Sequence, residues 1–435
     1  MKPLSLSVLL ALGLVACSGG ETPEKPSEPA KTEAAADKPA DAGVPKAVQQ
    51  PLEGGPYKAL LLTQSVFYKD AAGKPLPGPA RMDIWRDTGS GWKMTRLEDE
   101  ESNVFHKAIQ LDDGSLLTIG AEGAKLKKWS FADGKWSSET LWEENWGGKF
   151  QRLRDIEIGD VNGDGADDYI IATHDSGVVA VVEPGKGEGG AHKVTQMDKK
   201  ADTFVHEIEL GDIDGDGVLE FFATPSDRNQ AGKSQAGGVV MYKWDGSTWK
   251  RTWVEEQHGT HAKEILASDL DGDGKTELFS VLEAEIDPND KRKTLKPVTV
   301  AQYSYNKDGS FTRTDVGTIE DRQTRFLVPG DFDGDGQVEL VAAAMTSGLY
   351  LMEPPADGAT EWTVTRFDSA SGGFEHSAYA ADLDGNGVPE LYVAADTQRE
   401  LKRYTWNAER GTFDKELLGR LEQDILTWNI TTAEL

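Results

Sequence analysis

One cysteine stands in 435 residues, so no internal disulfide can staple this chain and no cysteine-rich zinc site can be built from it. Basic charge is also in the minority. The 46 lysines and arginines face 75 acids, a formal charge of −29 that repels a phosphate backbone and argues against nucleic acid as a partner. Long apolar stretches are missing beyond residue 16, and the one at the start, Leu4 to Ala16, is too short to span a bilayer. No phosphate-binding glycine loop and no serine–histidine–acid signature occurs either. With 38% hydrophobic residues the chain still has the means to bury a large core, as one big domain or two ordinary ones.

The first apolar run follows Lys2 and has the length of a signal-peptide core, which makes residues 1–16 an export signal. It ends in Leu14-Val15-Ala16-Cys17. That tetrapeptide resembles the bacterial lipoprotein box, which implies a lipid on Cys17 as the first mature residue and anchorage in the cell envelope. Ser18, by the same resemblance, implies the outer membrane. The other reading is an ordinary cleaved signal with a chance cysteine. Residues 17–54 are Pro, Ala, Glu and Lys with almost no large apolar side chain, a disordered tether that holds residues 55–435 away from the membrane.

Five stretches of that body share one pattern: Asp160 to Asp168 (DVNGDGADD), Asp212 to Glu220 (DIDGDGVLE), Asp269 to Glu277 (DLDGDGKTE), Asp331 to Glu339 (DFDGDGQVE) and Asp382 to Glu390 (DLDGNGVPE). Their first residues lie 52, 57, 62 and 51 positions apart, the size of a supersecondary unit. A short alternating segment precedes each one, as Ile156-Glu-Ile158 does, and an apolar run such as Leu340-Val-Ala342 follows. The pattern is strand, acidic loop, strand.

Aromatic pairs count the units independently. They flank turns at Trp85 and Trp92, Trp129 and Trp136, Trp244 and Trp249, Tyr305 and Phe311, and Trp406 and Phe413, with looser versions from Glu183 to His192 and from Met352 to Trp362. Seven such hairpins over residues 55–435 give about 54 residues per unit. Seven units of four strands predict an all-β, seven-bladed propeller. Its first blade opens at a second strand, Tyr57 to Thr63, and the missing inner strand is expected from Asp424 to Thr431 at the far end of the chain. The second unit keeps only a degenerate loop, Asp112 to Ser115.

These loops and their flanking strands resemble the FG-GAP or VCBS repeats of bacterial surface proteins and the calcium-binding blades of the integrin alpha-subunit propeller. The resemblance implies repeat type and ion, and leaves activity open, because adhesins, receptors, binding modules and some lyases share such repeats.

Calcium takes six to eight oxygen ligands at loose geometry. Loop positions 1, 3, 5 and 9 supply them: Asp160, Asn162, Asp164 and Asp168; Asp212, Asp214, Asp216 and Glu220; Asp269, Asp271, Asp273 and Glu277; Asp331, Asp333, Asp335 and Glu339; Asp382, Asp384, Asn386 and Glu390. The EF-hand's bidentate acid at position 12 is replaced by Ile171, Ala223, Ser280, Ala342 and Val393, so these are not EF-hands. Up to five structural Ca2+ sites are expected, weaker where Asn162 and Asn386 remove a charge.

A second register lies six residues before each loop: His106, Arg154, His206, Lys263, Arg325 and His376. In a propeller these positions start the inner strands and ring the channel mouth opposite the calcium loops. His258 and His261 precede the fifth inner strand and join them. One reading is a pocket for an anionic or sugar-acid ligand or for a histidine-held metal. The other is that each base at a strand start hydrogen-bonds the neighbouring blade's carbonyls or acids, for instance Asp155, Glu207, Glu264 or Glu375. The function expected first is a membrane-tethered, extracytoplasmic binding or interaction protein with a monomeric, calcium-stabilised body and a protein or carbohydrate ligand. The alternative is a carbohydrate lyase or dehydratase using the histidine-rich mouth, and a quinone-dependent dehydrogenase is weaker still. Convergence of His106, His206, His376 and His258 or His261 within metal-ligand distance would favour chemistry; splayed residues each paired with an acid would favour the scaffold.

Overall fold

The computed structural model describes residues 57–121, 123–147, 151–228, 233–356 and 361–435. The expected signal, Cys17 and the tether therefore lie outside the described residues. Seven four-stranded antiparallel sheets, each running from an inner to an outer strand, are arranged in a ring, with an extra two-stranded ribbon. The inner strands of blades 2 to 7 are Phe105–Gln110, Leu153–Gly159, Thr203–Gly211, Ala262–Ser268, Thr324–Gly330 and Ala378–Ala381. Blade 1 borrows its inner strand from the chain's end: Ile425–Glu434 pairs antiparallel with Lys58–Lys69, Leu61 opposite Thr431. Tyr57 and Leu435 close the joint through reciprocal backbone hydrogen bonds of 2.9 and 3.0 Å. The ring is shut without a covalent seam.

The hydrophobic pattern explains why blades stack. Side chains on a strand point alternately to its two faces. Leu60 and Leu62 pack with Tyr392, Ala394 and Leu401 of blade 7, whereas Ala59 and Leu61 pack with Phe105, Ala108 and Leu116 of blade 2. Leu340 and Ala342 likewise join blade 5, and Val341 and Ala343 join blade 7. A strand covered on both faces has to be apolar at every position, which is why these segments read as continuous runs.

All seven aromatic-flanked turns join third to fourth strands. Trp244 is paired with Trp249, Tyr305 with Phe311 and Trp406 with Phe413. The longest repeat spacing, between Asp269 and Asp331, has its own cause: blade 5 inserts the ribbon Glu285–Ile286 and Thr294–Lys296 between its second and third strands.

Candidate functional site

Six of the seven inner strands carry a β-bulge near their start, at His106, Arg154, His206 with Glu207, Lys263, Arg325 and Trp428. A bulge sets two residues against one and turns successive side chains the same way. The mouth is accordingly lined by pairs: Arg154 with Asp155, Arg325 with Phe326 and Trp428 with Asn429, joined by Glu207, Lys263 and Glu375. The space left among them is about 10 Å³ for the centres of water-sized molecules, room for about one water.

The register of bases thus has a seventh member that is not basic. Trp428 stands where blade 1 completes the ring, with the His106 ring edge-on at 4.7 Å and the Arg154 guanidinium over its indole at 5.5 Å. Counting back from the five acidic loops cannot find it, because none of them lies six residues after Trp428. A closing strand with a tryptophan at the matching offset is the available signal.

Three of the expected mouth residues, Arg154, Lys263 and Arg325, come together there. Lys263 Nζ is 2.8 Å from Glu283, which in turn accepts from Gln323 at 2.8 Å. Burial pushes the Lys263 ammonium down to about 8, with the Arg325 charge adding to the effect. Burial would raise Glu283, yet Lys263, His261 and Arg325 outweigh it and hold the carboxyl at about 2.

The histidines do not converge on one point. His174, His206 and His261 form a row across blades 3 to 5, with successive ring centroids 6.1 and 5.9 Å apart, and among the described residues no histidine belongs to a convergent group of three or more metal-ligating side chains. His206 Nε2 meets Ser226 Oγ at 3.2 Å. His376 is locked away from the channel, its Nδ1 donating to the Ala344 carbonyl at 2.6 Å and its Nε2 accepting from Ser371 Oγ at 2.8 Å. Burial lowers His106, His206 and His376 alike, the last to about 4, and nearby cations lower the first two further. His258 is exposed ahead of the fifth inner strand and is not among the residues that line the mouth.

Asp155 and Glu264 do not pair with Arg154 and Lys263 one position before them, whereas Glu375 stands at ion-pair distance from Arg154 and Arg325 and Asp155 pairs with Lys107. Asp155 Oδ2 accepts the Ile208 backbone N–H at 2.7 Å and Glu264 Oε1 that of Leu327 at 3.0 Å, in each case from the next blade and two residues past its bulge. Such an acid caps a donor that the interrupted ladder leaves over. Deeper in the channel Glu157 bonds Lys107, and Glu209 lies beside it. Burial together with like charges raises Glu207 and Glu209 well above the usual carboxylate range, and burial takes Glu264 to about 8. Acids and cations share the channel: Glu207 and Glu375 line the mouth with Arg154, Lys263 and Arg325, and Lys107 lies with Glu157.

At the opposite end the acidic loops repeat one construction. The first aspartate accepts backbone N–H groups three and five residues on, as Asp331 does from Gly334 at 2.8 Å and Gly336 at 3.1 Å. The ninth residue accepts the N–H of the second: Glu220 from Ile213, Glu277 from Leu270, Glu339 from Phe332 and Glu390 from Leu383. Gly334 and Gly336, at φ of 75° and 90°, supply the left-handed turns that this curl requires.

Oxygens of Asp331, Asp333, Asp335 and Glu339 all lie within 4.8 Å of one another, as do those of Asp212, Asp214 and Glu220 and those of Asp269, Asp271 and Asp273. Asp214 Oδ1 and Glu390 Oε1 are buried without a hydrogen-bond partner. An oxygen-rich donor set of this kind fits a hard divalent cation. In the loop beginning at Asp212 an ammonium takes up the charge: Lys243 Nζ reaches Asp214 at 2.6 Å, Asp216 at 2.8 Å and Glu220 at 2.7 Å. Lys243 comes from blade 4's third strand, a placement that loop spacing does not reveal. In the two loops containing Asn162 and Asn386 the carboxylates do not converge within 4.8 Å.

Residues 160–223, 269–342 and 331–393 match the profile of a family described as FG-GAP-like repeat. The chain thus carries FG-GAP-like repeats on a seven-bladed β-propeller. No curated protein matches the chain. Among solved structures, the propeller is similar to a protein from Lactobacillus plantarum, 13% identical over 87% of this chain and 100% of that one with a TM-score of 0.51. It is also similar to the periplasmic gluconolactonase of Pseudomonas aeruginosa, 12% identical over 86% and 99% with a TM-score of 0.53. At these identities the likeness is one of fold, and the FG-GAP propeller takes no activity from it.

Proposed function

We propose that this chain is a binding protein of the bacterial cell envelope, tethered by lipid on Cys17, whose calcium-held propeller takes a ligand at the channel mouth. The observation that carries this reading is the meeting of Arg154, Lys263 and Arg325 with Trp428 in one opening, to which six of the seven blades contribute lining residues. Bulges fix those side chains on strands, so the site is preorganised, and its histidines are held apart and neutral, with none set against another as acid and base. That distribution suits recognition.

Calcium, when bound, supplies positive charge that lets each loop's carboxylates approach one another. Asp331, Asp333, Asp335 and Glu339 would hold it, with Asp212, Asp214 and Glu220 and with Asp269, Asp271 and Asp273 as further sites. The loops close the turns between first and second strands, so ordering them stiffens the inner strands whose far ends form the mouth.

The test is a binding screen of glycans, peptides and metabolites on the full chain, with and without EDTA, repeated with Lys263→Ala and Trp428→Ala. A ligand lost in both variants supports the reading. Ligands that bind both variants as they bind the unaltered protein overturn it.

A further inference from the structure

Blade 7 breaks the pattern of the other inner strands. Its inner strand is four residues, Ala378–Ala381, and the segment before it leaves the ladder and crosses the mouth. Both ends of this strap are pinned. Gly373 N donates to the Met345 carbonyl at 3.0 Å and Thr397 N to that of Gly372 at 3.1 Å, while Ser377 Oγ donates to the Thr427 carbonyl at 2.5 Å. His376, in the left-handed region at φ 54°, is tied by its ring to Ser371 and Ala344. Between these anchors Phe374 is 41% exposed, and Glu375 turns inward, 2% exposed.

Glu375 enters between the half-buried Arg154 and the buried Arg325 guanidiniums without hydrogen-bonding either. One of its oxygens is 3.8 Å from Arg154 Nη2 and the other 3.9 Å from Arg325 Nη2, ion-pair distances too long for hydrogen bonds. Among the described residues it is the carboxylate within 4.0 Å of either. Arg325 Nε is buried with no acceptor, and its other contacts are Gln323 at 3.5 Å and the Phe374 ring at 5.0 Å. A buried guanidinium with unmet donors is costly, and the cost is relieved by an acceptor that can approach both forks. The pinned backbone keeps Glu375 from coming closer.

We propose that the mouth is a carboxylate site, and that Glu375 is a built-in occupant which an incoming carboxylate on a short aliphatic tether displaces. This rests on the mouth being the ligand site, and it names the ligand's chemistry. Displacement requires only that the Phe374–Glu375 tip rotate outward between its anchors. The vacated space has the dimensions of a glutamyl side chain, and the guanidiniums then close on an anion free to choose its position.

Propionate reproduces that carboxylate and tether and serves as the probe, with propionamide as the uncharged control, in calorimetric titrations of the full chain. Glu375→Ala is expected to bind propionate at least tenfold more tightly than the unaltered protein, and adding Arg325→Ala to abolish the gain. Glu375→Gln, which keeps the size and removes the charge, is expected to gain at least threefold and decides the matter if the alanine variant fails to fold. In the unaltered protein, saturating propionate should speed hydrogen exchange across residues 370–377. Equal affinity in all three proteins, or a gain that survives loss of Arg325, overturns the proposal. If propionate fails while Lys263→Ala and Trp428→Ala still abolish a ligand from the screen, the built-in occupant is wrong and the binding reading stands. If propionate behaves as expected but no screened ligand responds to those variants, the binding reading falls and the carboxylate pocket remains.

Discussion

Trp428 stands edge-on to His106 with ring centroids 4.7 Å apart, and this contact crosses the joint where the last strand of the chain meets blade 2. The indole Nε1 also donates to Ser65 Oγ in the strand beside it. One side chain therefore ties the C-terminal strand to both neighbours at the mouth. Closure and the candidate site share a residue.

Trp428→Ala should destabilise the propeller by about 3 kcal/mol, the range for deleting a buried aromatic. Trp428→Phe should cost less, because a ring edge remains for His106 and only the Ser65 bond is lost. Trp253→Ala, at a 38% exposed position, should leave the midpoint nearly unchanged. Thermal unfolding followed by circular dichroism checks all three. Equal midpoints for Trp428→Ala and Trp253→Ala would mean that the joint does not depend on this contact.

Lys243 has to share its three carboxylates with any cation that enters the loop. Lys243→Met should lower stability by roughly 1 kcal/mol in EDTA, where the acids lose their counter-charge. In millimolar calcium the deficit should vanish, and calorimetry should report tighter calcium binding than in the unaltered protein. An identical deficit with and without calcium would place Lys243 outside any ion site.

The asparagine loops offer a graded comparison within one molecule. Calcium-dependent protection from hydrogen exchange should be strong at residues 331–339, where four carboxylates converge, and weak at 160–168 and 382–390, where they do not. Asp333→Asn should bring the strong loop toward the weak ones. Uniform protection across all five loops would show that carboxylate count does not set affinity.

How much of this was legible beforehand follows from where each signal resides. The acidic loops and aromatic hairpins carry their chemistry within ten residues, so blade number, closing strand and loop positions could be read along the chain. The cationic register was also visible, because bulges fall at a constant offset from the loops. The bulges themselves were not, since register is a property of two paired strands. Without them Asp155 and Glu264 look like partners for Arg154 and Lys263, whereas the fold spends them on backbone N–H groups of the next blade. Lys243 and Glu375 reach their sites from a third strand and from a strap, distances that no local pattern encodes. His376 shared the register but not the site, because blade 7's inner strand starts two residues later.

His376 gives the fold an acid-sensitive point. Burial takes its pKa from the ordinary 6.5 to about 4, and its Nδ1–H and Nε2 are both used in the neutral form. Between those values the unfolded chain binds a proton that the folded chain refuses, so the stability this group contributes is complete above pH 6.5 and declines as pH falls toward 4. At pH 5 the loss from this site should be about 2 kcal/mol relative to pH 7.5. His376→Asn keeps an N–H for the Ala344 carbonyl, tolerates the left-handed backbone and cannot titrate. It should be the less stable protein at pH 7.5, through the lost Ser371 bond, and should have the flatter pH profile, with the remaining slope owed partly to His261, which burial also lowers to about 4. Urea midpoints at pH 7.5 and 5.0 test this, and parallel profiles for the two proteins would show that His376 is not a source of the acid sensitivity.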